Sequence, residues 1–222
     1  MLIGPPAVGK SFWVKKYAPE AIVINRDDIV EKQAEAVGCT YNNSFIFPPD
    51  DAKIGDTVLG FEQYGKVVAS ELEWRETEFE VNQKIHNAST KELMQKIEHA
   101  STLKKDIVID MTNLTVKNRE FSLEKFGNDF FKIAVVFNFN SPELIAAIKN
   151  NSKKRSEELR KLGKEKTIPD ATYDKMINTY EPPSESEGFD KIIKYDNSEY
   201  LLGLSNIREF IKKTLKNHLI ID

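Results

Sequence analysis

Eight residues near the start of the chain, Gly4-Pro5-Pro6-Ala7-Val8-Gly9-Lys10-Ser11, space two glycines, a lysine and a hydroxyl in the pattern G-x-x-x-x-G-K-[ST]. Glycine lets the backbone curl until successive N–H groups point at one phosphate, and a helix begun there adds the positive end of its dipole. In such a cradle Gly4 and Gly9 give the turn its shape, Lys10 reaches the outer phosphates of ATP or another nucleoside triphosphate, and the Ser11 hydroxyl ligates Mg²⁺. A turn that merely caps the following helix is the competing reading of the same residues.

Phosphoryl transfer needs an oriented nucleophile and neutralised charge more than covalent help, and three further groups have the side chains for it. Ile22-Val23-Ile24-Asn25-Arg26-Asp27-Asp28 closes an apolar run with a guanidinium and two carboxylates. Asp27 there could accept the proton of an attacking hydroxyl, with Arg26 beside the substrate; alternatively Asp27 and Asp28 cap the next helix. Asp106-Ile107-Val108-Ile109-Asp110 is an apolar run ending in a carboxylate suited to a metal ion or its water shell. Thr112, Asn113 and, further on, Arg119 add a polar cluster, which a capping turn at Thr112 or Thr115 also accounts for. Between Lys149 and Lys166 stand Lys149, Lys153, Lys154, Arg155, Arg160, Lys161, Lys164 and Lys166 against Glu157, Glu158 and Glu165, a local charge of +5. A solvated helix face reads this way, and so does a lid that delivers cations to a transferring phosphoryl group.

The elements that must position these groups follow from the hydrophobic pattern. Apolar, β-branched runs at 21–24, 106–110, 132–137 and 191–195 alternate with helical stretches at about 11–18, 27–37, 56–84, 90–102, 116–126, 142–162, 169–179 and 205–217. Strands buried on both faces and separated by helices predict an α/β fold, a parallel sheet flanked by helices. Such sheets collect their ligands at the C-terminal edge, where the loop at 4–11, Asp27 and Asp110 all fall. Only Met1-Leu2-Ile3 stands before the phosphate loop, so the first strand is expected to be curtailed unless further residues precede it. About 80 residues separate the runs near 24 and 108, far more than the dozen or so a crossover requires. Residues 39–105 are therefore expected to be an insertion, turn-rich at first and then a helical pair at 56–84 and 90–102 joined near Asn87-Ala88-Ser89. Its aromatics Tyr41, Phe45, Phe47, Phe61, Tyr64, Trp74 and Phe79 suit core packing better than base stacking, since Phe61, Tyr64 and Val68 recur at helical spacing. The chain reads as one domain over 1–222, with 149–168 as the lid.

Composition narrows the classes. The 222 residues are 40% hydrophobic and 30% charged, enough apolar side chain to exclude an extended disordered protein. A net charge of −3 argues against a globally basic nucleic-acid coat but leaves room for a local basic patch. No apolar run approaches the ~18 residues that cross a bilayer, so no membrane partner and a cytoplasmic location are expected. A single Cys39 cannot pair within the chain, and His86, His99 and His218 are too scattered for a zinc site.

Together, Gly4 to Ser11, Ile24-Asn25-Arg26-Asp27-Asp28, Asp110-Met111-Thr112-Asn113-Leu114 with Arg119, Asn151-Ser152-Lys153-Lys154-Arg155 and Ile168-Pro169 resemble the kinase module of bacteriophage-type polynucleotide 5′-kinases. Tyr180 to Asp190 is similar to the helix-to-strand passage of related P-loop kinases, and the resemblance covers roughly 1–38 and 106–196. It implies transfer of the γ-phosphate of ATP to the 5′-hydroxyl end of DNA or RNA, with Mg²⁺, in nucleic acid repair. Lys10 and Ser11 then match the phosphate and metal binders, Asp110 a metal partner, Asp27 the general base, and Arg155 (Lys154 if the register slips by one) the lid arginine. Arg119 is expected at the nucleotide, Arg26 and Asn113 at the substrate. Two departures stand out. Ile29, Val30 and Glu31 occupy the stretch where the family often has an arginine for the acceptor phosphate, leaving Lys32 as an imperfect substitute. No D-x-D-x-T motif is present for a phosphatase. A small-molecule or nucleoside/nucleotide kinase on the same scaffold, or a non-enzymatic ATP-binding switch, are the alternatives.

Overall fold

The computed structural model describes residues 1–45, 78–164 and 166–203. Among these residues are five short strands, β1 (Leu2–Ile3), β2 (Ile22–Ile24), β3 (Ile107–Ile109), β4 (Ile133–Phe137) and β5 (Lys191–Tyr195), the last four built from the β-branched runs seen in the sequence. All pairings are parallel: β1 with β4, β4 with β5, and β2 with β3. A bridge from Leu2 to Asp110 and a hydrogen bond from Gly4 N–H to the Thr112 carbonyl, 3.0 Å, join the two groups, so the strands run β2-β3-β1-β4-β5 across the molecule. β1 is as short as the sequence suggests, yet it lies between longer neighbours with Leu2 and Ile3 fully buried.

Both sheet faces are covered, which is why the strands carry apolar residues on both sides. On one face Leu2, Val108, Val135 and Phe137 pack with Val14 of α1 (Lys10–Tyr17) and with Ile148 and Tyr173. These last two belong to α5 (Pro142–Lys161) and α6 (Asp170–Asn178). On the other, Ile24 and Ile109 meet Ile29 of α2 (Arg26–Ala36), Leu93 and Ile97 of α3 (Glu78–Ser101), and Phe126 just beyond α4 (Val116–Leu123). A single turn, α7 (Ser198–Leu201), follows β5 and buries Leu201.

One expectation is corrected. No break occurs near Asn87-Ala88-Ser89, where α3 runs straight through. Ile85, Ser89, Leu93, Ile97 and Ala100 form one buried stripe at helical spacing, and the small Ser89 sits fully buried within it. Tertiary packing of that stripe overrides the modest helix propensity of Asn, Ser and Thr. The residues assigned from sequence to 56–77 and to the helix at 205–217 lie outside the described residues.

Candidate functional site

The phosphate loop leaves β1 and enters α1. Its curl is local chemistry: Ala7 (φ 60°) and Gly9 (φ 104°) are left-handed, turning successive N–H groups inward. At Gly4 the limit is space, since a Cβ there would lie 3.0 Å from Val8 Cγ1 and 3.2 Å from Phe137 Cβ. Val8 is buried, and its carbonyl accepts from Asn197 Nδ2 at 3.0 Å, which ties the loop to the start of α7. Lys10 folds back across the hollow, its ammonium donating to the carbonyls of Gly4 (2.9 Å) and Pro5 (2.8 Å). Burial draws the Lys10 pKa down to about 8 against the opposing pull of Asp110 and Asp27. Among the described residues this buried ammonium is bonded to carbonyls alone, an arrangement whose chemistry suits an anion of phosphate size.

At the end of β3 the Ser11 hydroxyl donates to Asp110 Oδ2 at 3.3 Å. Asp110 is 5% exposed, and burial pushes its carboxyl pKa up despite Lys10 and Ser11. A desolvated carboxylate beside a hydroxyl gives hard oxygen donors that fit Mg²⁺, an ion usually held by one or two protein ligands together with water and phosphate oxygens. Among the described residues no group of three or more His, Cys, Asp or Glu side chains forms a fuller metal cage.

The third corner is Asp27. The N-cap of α2 is Asn25, whose side chain accepts from Asp27 N–H at 2.8 Å, so neither Asp27 nor Asp28 is needed for capping and both stand in the favourable first turn. The Asp27 carboxylate faces the Lys166 ammonium at 3.3 Å and hydrogen-bonds with the Tyr41 hydroxyl. Lys166 also lies over the Tyr41 ring, 4.1 Å from its centroid. Burial, with the Asp27 charge and hydrogen bond added, pushes the Tyr41 hydroxyl far up, so it stays a donor. The segment after α5 is strapped across α2: Lys164 pairs with Glu31, Thr167 N–H donates to Asn42 Oδ1 (2.8 Å), and the Ser156 hydroxyl holds the Lys166 carbonyl (2.6 Å). Behind Asp27, His86 Nε2 lies 2.6 Å from the Ser44 carbonyl, which can only accept. Nε2 therefore carries the proton, and Nδ1 accepts from Arg26 Nη2 at 3.1 Å. Burial lowers the His86 pKa and Arg26 adds to this, against the Ser44 carbonyl, keeping the ring neutral.

Lys10, Ser11, Asp110 and Asp27 are thus brought together, with Arg26 adjacent. Sequence reasoning missed Lys166, Tyr41 and His86 as members of the cluster: Lys166 was one cation in a run of eight, and Tyr41 and His86 carry no motif. Arg155 and Lys154 are exposed and form no ion pair with another described residue, while Lys149 and Lys153 brace α5 against Asp174 and Asp170 of α6. Lys32 is exposed and pairs at the surface with Glu92 of α3.

Two sequence expectations are corrected. Arg119 is not at the nucleotide. It is 0% exposed, its Nε and Nη2 grip Glu187 (2.6 and 3.0 Å), and its Nη1 donates to the carbonyls of Asn113 (3.1 Å) and Glu181 (2.8 Å). Burial opposes the Glu187 charge, yet the Arg119 fork and Ser184 hold that pKa below the usual carboxylate range. Asn113 is likewise buried, in a left-handed conformation (φ 50°), with Nδ2 donating to the Leu2 carbonyl at 2.8 Å, so it holds β1 and not a substrate. Thr115, whose side chain accepts from Asn118 N–H, is the N-cap of α4. Breaking a buried ion pair from one side costs about 3–5 kcal/mol. At about 2–4 °C per kcal/mol for a chain of this size, Arg119→Ala is expected to lower the melting temperature by roughly 6–20 °C. Arg119→Lys should not rescue it, since an ammonium lacks the planar fork. A melting point near wild type with weakened nucleotide binding would return Arg119 to the nucleotide.

A parallel sheet in this order, with a phosphate loop after the first strand and a carboxylate at the end of the adjacent one, defines the class: a P-loop NTPase or kinase-like domain. The chain belongs to the AAA domain family (AAA_33), which matches residues 1–183. No curated protein matches it. Membership implies binding of a nucleoside triphosphate, and among the described residues no helix is long and apolar enough to cross a membrane.

Proposed function

We propose that this protein is an ATP-dependent polynucleotide 5′-hydroxyl kinase. The observation that carries the reading is Asp27: its carboxylate lies close enough to Lys10 and to Asp110 to act on both, yet it is held by Lys166 and not by the Ser11 hydroxyl that pairs with Asp110. A nucleotide switch has no use for a second carboxylate aimed there, whereas a kinase requires one to receive the acceptor proton. Asp27 takes the proton of the 5′-hydroxyl as that oxygen bonds to the γ-phosphorus and the bond to the β–γ bridging oxygen breaks. Lys10 offsets charge on the phosphates, Tyr41 and Lys166 hold the Asp27 carboxylate in place, and Arg155, exposed on α5 in this structure, is the cation that a closing lid would bring to the transferring group. Ser11 and Asp110 would hold Mg²⁺, which when bound would neutralise charge on the phosphate oxygens.

A small-molecule or nucleoside kinase is the second reading. It is favoured by Arg26, the residue before Asp27, which is part-buried and bonded to His86 and so is not poised for a polynucleotide backbone. Transfer from labelled ATP to 5′-hydroxyl DNA, 5′-hydroxyl RNA, nucleosides and nucleoside monophosphates separates the two. Oligonucleotide acceptors are expected to dominate at low salt and to decline linearly with the logarithm of salt as phosphate contacts are screened. Faster, salt-insensitive transfer to a mononucleoside would establish the second reading.

A further inference from the structure

We propose that Phe12 and Tyr200 form the platform on which the base of the donor nucleotide stacks, and that this platform accepts any of the common bases. The two rings lie open on the surface, 45% and 41% exposed, stacked with centroids 5.0 Å apart and planes 24° from parallel. Their position is fixed by the phosphate loop itself. Phe12 directly follows Ser11, and Tyr200 packs on Gly9 so closely that a Cβ there would lie 3.1 Å from its Cδ1 and Cε1. Asn197 links the Tyr200 turn to the loop through the Val8 carbonyl (3.0 Å) and accepts from Asn138 N–H (2.7 Å), while Leu201 is buried in the core. The platform is therefore rigidly attached although its faces are open.

Strand order supplies the direction. Asp27 and Asp110 follow β2 and β3, on one side of β1; Tyr200 follows β5, on the other. A triphosphate laid over the loop with its γ-phosphate toward Asp27 sends its nucleoside toward β5, where the two rings stand. Ring faces offer dispersion and π contact without a donor and acceptor code, so every base stacks on them. The inference rests on the phosphate loop and not on the identity of the acceptor.

The test is calorimetric titration of the full chain, with Mg²⁺, against ATP, GTP, CTP, UTP and inorganic tripolyphosphate, using wild type, Phe12→Leu and Tyr200→Leu. Leucine keeps apolar bulk on Gly9 but has no π face. Wild type is expected to bind the four nucleotides with similar affinity and each about 10-fold more tightly than tripolyphosphate, with each variant losing about 5- to 10-fold for nucleotides and nothing for tripolyphosphate. Three results would overturn the platform: wild type binding tripolyphosphate as tightly as ATP, variants losing tripolyphosphate equally, or one base preferred strongly over the rest. The first comparison needs no variant and stands even if a substitution disturbs folding. A failure to phosphorylate any 5′-hydroxyl end, with these affinities as expected, would remove the acceptor reading and leave the platform intact.

Discussion

Asp27→Asn is expected to lower phosphoryl transfer by about 10²–10⁴-fold, the usual contribution of a positioned general base, while ATP still binds. The substitution is nearly isosteric. The amide oxygen can still accept from Tyr41 and lie beside Lys166, so the strap over α2 keeps its geometry, but the group has no lone pair basic enough to receive a hydroxyl proton. Helix stability supplies little of the effect, because the N-cap of α2 is Asn25. Asp28→Asn is the matched control. Asp28 is exposed and lines an acidic surface groove with Glu31, Lys32, Glu35 and Lys164, so its loss should leave transfer near wild type. Single-turnover transfer and nucleotide titration on both variants, with a thermal melt for each, distinguish the outcomes. Equal losses of activity accompanied by equal losses of melting temperature would mean that the acidic pair serves the helix and not the chemistry.

How far the sequence exposes this site depends on the kind of constraint. The phosphate loop is legible because its demands are local: a curl that needs Gly9, a crowded turn that needs Gly4, and a lysine and hydroxyl at fixed offsets. The sheet is legible for a related reason, since strands covered on both faces must be apolar throughout. Contacts set by chain crossing are not. Lys166 lies 139 positions from Asp27, and nothing in the spacing of the basic run distinguishes it from Arg155, which points to solvent. Arg119 shows the opposite error. An arginine shortly after a metal-binding carboxylate looks like a ligand group, but the fold places Glu187 and two carbonyls around it, and five donors in a buried fork are fully consistent with a structural strut. The supposed break in α3 fails similarly: Ser89 reads as a turn residue, whereas it lies fully buried in the same helical stripe as Ile85, Leu93 and Ile97.

Lys10→Ala is expected to reduce Mg²⁺-dependent ATP turnover by at least about 10²–10³-fold, the loss typical when a preorganised electrostatic donor to the reacting group is removed. Its fold should survive. The ammonium is buried at a cost, which is why its pKa stands at about 8 and not at the ordinary lysine value. Because the folded chain releases this proton more readily than the unfolded one, Lys10 subtracts stability below pH 8, and that penalty fades as pH climbs toward about 10.4, the unfolded value. Removing the side chain removes the penalty, so the melting temperature at neutral pH should hold or rise. Binding gives a second, independent readout. A bound phosphate requires the charged ammonium, so above pH 8 the wild-type protein must take up a proton to bind nucleotide. Its Kd should therefore rise by about tenfold per pH unit until the pKa of the bound state is reached, and be insensitive to Lys10 below pH 8. Lys10→Ala should bind weakly at every pH and lack this alkaline slope. Turnover at wild-type rate in that variant, or an unchanged slope, would show that the loop from Gly4 to Ser11 holds no phosphate.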